Sequence, residues 1–206
     1  MAELLPALSQ RRARRAFAST PVSTETEALL WRAVSVAPSH GNTQPTRVLI
    51  ARTSATRTSL IEALSPGNRH WAGAAPLLIV LAAVPEHDAP QPNSDGNVRE
   101  LCAFNAGIAA GNLMAQATDL GLIAHPMAGF DEVAARAVFG VPPEVRLLAV
   151  FAFGCPGTVE SLPEDLRARE TAAQERLPTQ HLVAEDSWTP ALDLSAREFR
   201  QRQSRS

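Results

Sequence analysis

The feature that most constrains the fold is an apolar segment near the middle of the chain, residues 75–83. None of its side chains carries a charge or a hydrogen-bonding group. A run of this length is typical of a buried strand, and it is much shorter than the ~20 apolar residues that span a membrane. We therefore expect residues 75–83 to form a central strand of a sheet.

Helical and strand patterns surround this segment without the regular alternation of a parallel α/β sheet. Helices are expected at residues 4–14, 24–36, 54–63, 98–120 and 131–139, and further strands at 47–51 and 146–153. Ser23 and Asp131 are the expected N-caps of two of these helices, and Gly140 follows the end of the last one. A polar loop is expected at residues 85–96, and its length suits a functional segment. The irregular order favours an α+β sandwich.

Composition excludes several classes of function. The 206 residues suit one domain, and a net charge of −2 gives no general attraction to nucleic acid or membranes. Neither a dinucleotide-binding GxGxxG after a strand nor a P-loop is present. Residues 1–5 lack the basic start of a secretory signal, so we expect a cytoplasmic protein without a membrane partner. Cys102 and Cys155 match no metal-binding spacing and are expected to be buried thiols.

Two polar segments point to a cofactor. Residues 11–15 contain four arginines, whose planar guanidinium groups suit phosphate oxygens. Residues 37–45 follow the second helix and are rich in Ser, Asn, Gln and Pro, which would give neutral donors and acceptors for the edge of a flat heteroaromatic ring. Together the two segments predict a phosphorylated cofactor with a flat, polar head group.

In this order, the two segments resemble the nitroreductase family of flavin oxidoreductases. Two later stretches fit the resemblance: residues 121–131, which end in a Pro-x-x-Gly-Phe turn, and residues 175–178, which contain a late basic position. The matching region runs from about residue 5 to residue 178. The resemblance implies one domain over residues 1–206, built as a three-layer sandwich with a mixed, mostly antiparallel sheet in an intertwined homodimer. Residues 179–206 would be a C-terminal extension of the kind that wraps the partner subunit.

The resemblance also implies which residues bind FMN. The phosphate and ribityl end would be held by Arg11, Arg12, Ala13, Arg15 and Arg176. Ala13 stands where the family often has a hydroxyl residue, so one hydrogen bond is expected to be missing. The alternative interpretations are a solvated basic helix end for the arginine cluster and a surface ion pair for Arg176.

The flavin ring would be contacted from two sides. The second subunit would contribute Pro38, Ser39, His40, Asn42 and Gln44. The first subunit would contribute Asn68 at the pyrimidine edge and the segment beside the reactive edge, made of Pro126, Met127, Ala128 and Gly129. A backbone N–H of that segment would point toward flavin N5. A capped turn is the alternative for residues 38–44, an ordinary turn residue for Asn68, and a structural role for His40 and His125.

The implied activity is FMN-dependent hydride transfer from NADH or NADPH to a nitroaromatic, a quinone or a similar electrophile, in ping-pong fashion. No metal and no catalytic side chain is expected, because the flavin carries the chemistry. Acceptor selectivity is expected from residues 85–96 and from the surroundings of Trp71 and Phe104. A flavin-binding protein without turnover is an alternative, since Ala13, Thr46 and Ala128 depart from the family pattern. A specialised flavin dehydrogenase or dehalogenase is another, whereas a nucleic-acid-binding module is disfavoured.

Overall fold

A computed structural model describes residues 3–88 and 100–203. The chain forms two compact units, Met1–Thr171 and Ala172–Ser206. Of the predicted loop at residues 85–96, only Pro85–Asp88 is described, and it forms a short 3₁₀ turn. The rest of that loop lies outside the described residues. No helix in the described part of the chain is long and apolar enough to cross a membrane.

The first unit is built on a four-stranded sheet. Its strands are β1 (Thr46–Ile50), β2 (Leu77–Ala83), β3 (Ile123–Met127) and β4 (Arg146–Gly154), and they lie in the order β1-β2-β4-β3. Each neighbouring pair is antiparallel. All residues of β2 are buried, which confirms the central strand predicted from its apolar sequence.

Eight helices are described. They are α1 (Pro6–Ser9), α2 (Thr24–Ser35), α3 (Ser54–Ala63), α4 (Pro66–Ala72), α5 (Leu101–Asp119), α6 (Glu132–Phe139), α7 (Glu164–Thr171) and α8 (Ala196–Gln203). The predicted caps are confirmed. Ser23 accepts a hydrogen bond from the Thr26 N–H, and Asp131 accepts one from Ala134. Gly140 closes α6 in the left-handed conformation, with a φ of 61°, that glycine adopts without steric cost.

The alternating side chains of β2 separate two apolar layers. Leu78 and Val80 pack on the side of α3, α4 and α6, together with Leu60 and Trp71. Leu77 and Ile79 pack on the opposite side, with residues of α2 and α5. The unit is therefore a three-layer α+β sandwich, which confirms the predicted fold class.

The first predicted helix is wrong in its length. Helix α1 ends at Ser9, so the arginines at positions 11–15 lie in non-helical backbone and not on a helix. Long-range bonds replace helical ones: Ala18 donates to the carbonyl of Cys155, and Phe17 bridges to Pro156. Four neighbouring guanidinium groups would also repel one another on one short helix.

Two other features differ from the expectations. The structure adds α4, which the sequence pattern does not predict and which begins soon after α3, because proline is well suited to the first position of a helix. Cys102 and Cys155 are free but only half-buried. Among the described residues, no cluster of His, Cys, Asp or Glu is arranged to hold a metal ion.

Candidate cofactor site

The arginine segment is tied down by a buried carboxylate. Glu170, on α7, is 8% exposed. Its Oε1 accepts the N–H of Arg15 at 2.9 Å and that of Ala16 at 3.0 Å, and its Oε2 accepts the Arg15 N–H at 3.0 Å. The Arg15 guanidinium lies 3.9 Å from the same carboxylate, which is too long for a hydrogen bond. The carboxylate thus holds the backbone more closely than the charged side chain.

Two rings hold the other side of this segment. The imidazole of His125 donates from Nδ1 to the carbonyl of Arg14 at 2.9 Å, since a carbonyl can only accept. The second ring is that of Trp71. Its centre lies 4.5 Å from that of the His125 ring and 5.8 Å from the guanidinium carbon of Arg15. Burial lowers the pKa of His125 to about 4, and the charge of Arg15 contributes to the decrease. The imidazole is therefore neutral at pH 7.

The other members of the cluster are half-buried or exposed. Arg12 donates from Nη1 to the carbonyls of Ser9, at 2.8 Å, and Arg11, at 2.9 Å. Ala13 and Arg14 are exposed, whereas Arg11, Arg12 and Arg15 are half-buried. The cluster thus presents several cations at the surface of the first unit.

Asn68 and Gly129 meet just after the end of β3. Asn68, on α4, donates from Nδ2 to the Gly129 carbonyl at 3.2 Å, and Ser65 donates its N–H to the same oxygen at 2.9 Å. A Cβ on Gly129 would lie 2.6 Å from the hydroxyl of Ser65, so a larger residue there would require the Ser65 side chain to move. The predicted turn begins later than expected, because Pro126 and Met127 still belong to β3.

Only part of residues 126–129 is accessible at the surface. Pro126 and Ala128 are exposed, while the side chain of Met127 is buried in the core, so only its backbone can face a cofactor. Trp71, one turn after Asn68, and His125, just before Pro126, both contact the arginine segment. We call the set of residues 11–15, Asn68 and residues 126–129 the arginine half.

Residues 38–44, which we call the loop half, form a tight and unusual turn. Its 3₁₀ segment is His40–Asn42. Three residues have positive φ, namely Gly41 at 54°, Asn42 at 57° and Gln44 at 49°. Glycine and asparagine tolerate this region, whereas a glutamine there is uncommon. The loop bonds to itself, because Ser39 Oγ accepts the Gln44 N–H at 3.0 Å and Gln44 Nε2 donates to Asn42 Oδ1 at 2.9 Å.

A buried amide and a buried carboxylate anchor the loop half. Asn105, on α5 and 2% exposed, accepts the His40 N–H on Oδ1 at 3.1 Å and donates from Nδ2 to Asp88 at 2.7 Å. The other oxygen of Asp88 accepts the hydroxyl of Thr43. The sequence alone predicts no role for Asn105 or Asp88. The two are distant in sequence and carry no local signal of a shared role.

A cavity of about 460 Å³ opens beside the loop half. This volume lies within the range of small-molecule sites. Its lining combines apolar side chains, neutral polar groups and one permanent cation, and includes Trp31, Pro38, Ser39, Asn42, Gln44 and Arg47. Arg47 donates to the carbonyls of Gln44 and Thr46, each at 2.8 Å. The exposed side chain of His40 is not part of this lining.

One chain does not bring the two halves together. The loop half leads into β1, at one edge of the sheet, and the arginine half surrounds the end of β3, at the other edge. With strands ~4.8 Å apart, these edges are separated by roughly 14 Å. The anchors also lie in different layers, because Trp71 packs on the α4 side and α5, which carries Asn105, packs on the opposite side.

The predicted late basic residue belongs to the second unit. Arg176 is exposed and donates from Nη1 to the carbonyl of Glu175 at 2.7 Å. It lines a cavity of about 320 Å³ within that unit, together with Phe199 and Arg200. A surface ion pair was the alternative for Arg176. The ion pair that the structure shows is instead between Glu175 and Arg200, at 3.9 Å.

Known proteins resemble this chain in sequence and in fold. The model of the nitroreductase family matches residues 8–70 and 62–155. The chain is 36% identical over 133 residues to an uncharacterised 15.4 kDa protein of Mycolicibacterium smegmatis, covering 65% of this chain and 84% of the relative. It is 34% identical over 129 residues to a Streptomyces coelicolor protein provisionally named NADH dehydrogenase/NAD(P)H nitroreductase, covering 56% and 64%. A crystal structure of an FMN-containing oxidoreductase matches with a TM-score of 0.80 and 28% identity, covering 91% and 94%.

Proposed function

The chain belongs to the nitroreductase family, and on that premise we propose that it is an FMN-dependent oxidoreductase. It would use NADH or NADPH to reduce a nitroaromatic, a quinone or a similar electrophilic acceptor. The name of the Streptomyces coelicolor relative and the FMN in the similar oxidoreductase support this proposal. The observation that carries it is the pair of half sites: a cationic segment suited to phosphate and a neutral polar loop suited to a ring.

The residues of the arginine half fit the phosphate end of FMN. Arg11, Arg12 and Arg15 would hold the phosphate, with Arg176 as the predicted additional cation, because charge-assisted bonds from guanidinium groups are strong and directional. Ala13 adds no side-chain hydrogen bond. Asn68 and the backbone after β3 would face the polar edge of the ring. There, Ala128 and Gly129 would act through main-chain groups, and Pro126 and Met127 would contribute shape and backbone.

The loop half fits the ring itself. Pro38 gives an apolar surface, and Ser39, Asn42 and Gln44 give neutral donors and acceptors, while His40 is anchored through its backbone. Because the two halves lie at opposite edges of the sheet, we propose that the loop half of one chain completes the arginine half of another. The homodimer is thus part of the proposal.

The surface of α5 supports this assembly. Phe104 is 64% exposed, and a Cβ on Gly107 or Gly111 would meet no atom within 4 Å. Leu5 and Leu8, at and before α1, are also exposed. An apolar, small-residue face of this kind permits close approach of another helix, and a second copy of the chain would cover it.

No side chain of the site needs to act as an acid or a base. FMN, when bound, supplies the hydride chemistry, and the protein supplies position, charge and protection from water. His125 is neutral, buried and bonded to Arg14, which indicates a structural role. Trp71 is 2% exposed, so its ring is part of the core and cannot contact an acceptor.

The test is the visible spectrum of the purified protein, followed by addition of NADH or NADPH without air. Flavin bands near ~370 and ~450 nm that bleach with one of the two donors would support the reductase and identify the donor. Bands that persist would instead favour a flavin-binding protein without this turnover, or a specialised flavin enzyme. A colourless protein that cannot be loaded with FMN would contradict the proposal.

A further inference from the structure

We propose that Glu170 is a positioning residue that sets the arginine half for the phosphate group of the cofactor. This inference rests on the proposed function. Glu170 lies outside every motif that suggested the site and is separated from Arg15 by 155 positions in sequence. It would touch neither the flavin nor the acceptor, and would act through the backbone of the arginine segment.

The hydrogen bonds of Glu170 fix direction as well as position. One carboxylate accepts the N–H groups of two consecutive residues, Arg15 and Ala16, at 2.9 to 3.0 Å. The carbonyl of Arg14 is held from another side by His125. With the two peptide groups on either side of Arg15 restrained, its side chain leaves the backbone in one direction, over the ring of Trp71. A binding group whose direction is fixed in advance loses less entropy on binding.

A second buried glutamate shows that this arrangement is not simply an ion pair. Glu27 is buried to a similar degree, at 5% exposure, and binds the guanidinium of Arg52 through two bonds of 2.8 and 2.6 Å. Glu170 instead uses its oxygens on backbone N–H groups and stays 3.9 Å from the Arg15 guanidinium. The Arg15 side chain, 23% exposed, thus keeps hydrogen-bonding capacity for another anion.

A competing interpretation predicts the opposite sign. If Glu170 acted only as a nearby negative charge, it would repel phosphate, and its removal would strengthen FMN binding. If it positions the arginines, its removal weakens FMN binding in spite of the lost repulsion. The sign of the change therefore separates the two interpretations.

The experiment compares FMN with riboflavin, which has the same ring and ribityl chain but no phosphate. Kd values are measured by quenching of flavin fluorescence for the wild type and Glu170→Gln. We expect the Kd for FMN to rise about tenfold and the Kd for riboflavin to change by less than about twofold. An equal rise for both flavins would indicate general loss of structure and overturn the proposal. Tighter FMN binding would also overturn it.

Two further variants complete the test. Glu27→Gln makes the same change in a glutamate of similar burial that faces Arg52, and should leave the FMN-to-riboflavin ratio of Kd values unchanged. Glu170→Asp keeps the charge but shortens the side chain, and should give an intermediate ratio; it serves as the test if Glu170→Gln does not fold. A wild type that binds no FMN contradicts the proposed function. A wild type that binds FMN with a ratio insensitive to both Glu170 variants contradicts only the role of Glu170.

Discussion

The arginine half and the loop half are held in place by different physical means. In the arginine half, a buried carboxylate accepts N–H groups of an extended segment, and cations project from that segment. In the loop half, a neutral amide, Asn105, bonds a turn whose backbone has three positive φ angles. The first half thus depends on charge and the second on conformation. We expect the two halves to respond differently to crowding, loss of a hydrogen bond, pH and salt.

The largest effect is expected from crowding the backbone that directly follows residues 11–15 of the arginine half. A Cβ on Gly157 would lie 2.5 Å from the carbonyl carbon of Phe17, a backbone atom that no rotamer change can move away. Gly157→Ala should therefore lower the free energy of unfolding by about 3 kcal/mol, at the upper end for overpacking. Urea unfolding followed by tryptophan fluorescence measures the change.

The matched control is Gly67→Ala, where a Cβ would meet no atom within 4 Å. Its position in α4 should make the change neutral or slightly stabilising. Equal stabilities of the two variants would show that the segment around Phe17 can relax, and that the arginine half is less rigidly held than the contacts indicate.

A slightly smaller effect is expected from the anchor of the loop half. Asn105→Leu keeps the size of the side chain but leaves the His40 N–H and an oxygen of Asp88 without their bonds to Asn105. Unsatisfied buried groups cost ~1–3 kcal/mol, so we expect a loss of about 2.5 kcal/mol in urea unfolding.

Asn112→Leu on the same helix is the comparison. Asn112 makes a single bond of 3.3 Å to the Ala33 carbonyl and is only half-buried. Its loss should cost about 0.5 kcal/mol. If Asn112→Leu were the more destabilising of the two, Asn105 could not be the main anchor of residues 38–44.

Much of the fold could be predicted because its signals are local. The apolar run of β2 gives both its strand structure and its central place, and α3 forms at the predicted residues 54–63. Ser23, Asp131 and Gly140 act through bonds or dihedral angles within a few residues. The sequence pattern wrongly predicts a helix that includes the arginine segment, because the partners of that segment, Glu170 and Cys155, are more than a hundred positions away.

The candidate site, too, has residues that the sequence predicts and residues that it does not. The polar and turn-forming character of residues 38–44 is visible in the sequence, and the structure brings together Asn68 and Gly129, each of which the family resemblance implies at the flavin. Binding of FMN by these residues stays a prediction. The supporting residues Glu170, Asp88 and Asn105 were not identified, because a carboxylate or amide acquires such a role only when tertiary packing removes it from water.

An intermediate effect is expected from pH, through His125, which bonds to the Arg14 carbonyl of the arginine half. The pKa of His125 is lowered to about 4 by burial, with the charge of Arg15 adding to the shift and that of Glu170 opposing it. The unfolded chain, with a pKa near ~6.5, binds a proton first as pH falls. This contribution to stability is therefore full above pH ~6.5 and is lost as pH falls toward ~4. From pH 7 to pH 5 the loss is about 2 kcal/mol.

Other groups also titrate in this range, so the measurement is a difference. His125→Asn keeps a donor for the Arg14 carbonyl but cannot take up a proton. The wild type should lose about 2 kcal/mol more than His125→Asn between pH 7 and pH 5 in urea unfolding. Parallel stability curves for the two proteins would show that His125 titrates normally, which would mean that water reaches its ring.

The smallest effect is expected from salt, and it addresses the charge of the arginine half directly. Raising NaCl from ~0.1 to ~1 M shortens the screening length from about 10 to about 3 Å. The Kd for FMN should then rise about threefold, because the dianionic phosphate faces partly exposed guanidinium groups. The Kd for riboflavin, which would meet the neutral loop half without a phosphate contact, should change by less than about 1.5-fold.

Arg15→Gln should reduce the salt dependence of FMN binding and leave that of riboflavin unchanged. Equal salt dependence for the two flavins would mean that the arginines do not bind the phosphate. It would contradict the proposed difference between a charged arginine half and a neutral loop half in cofactor binding.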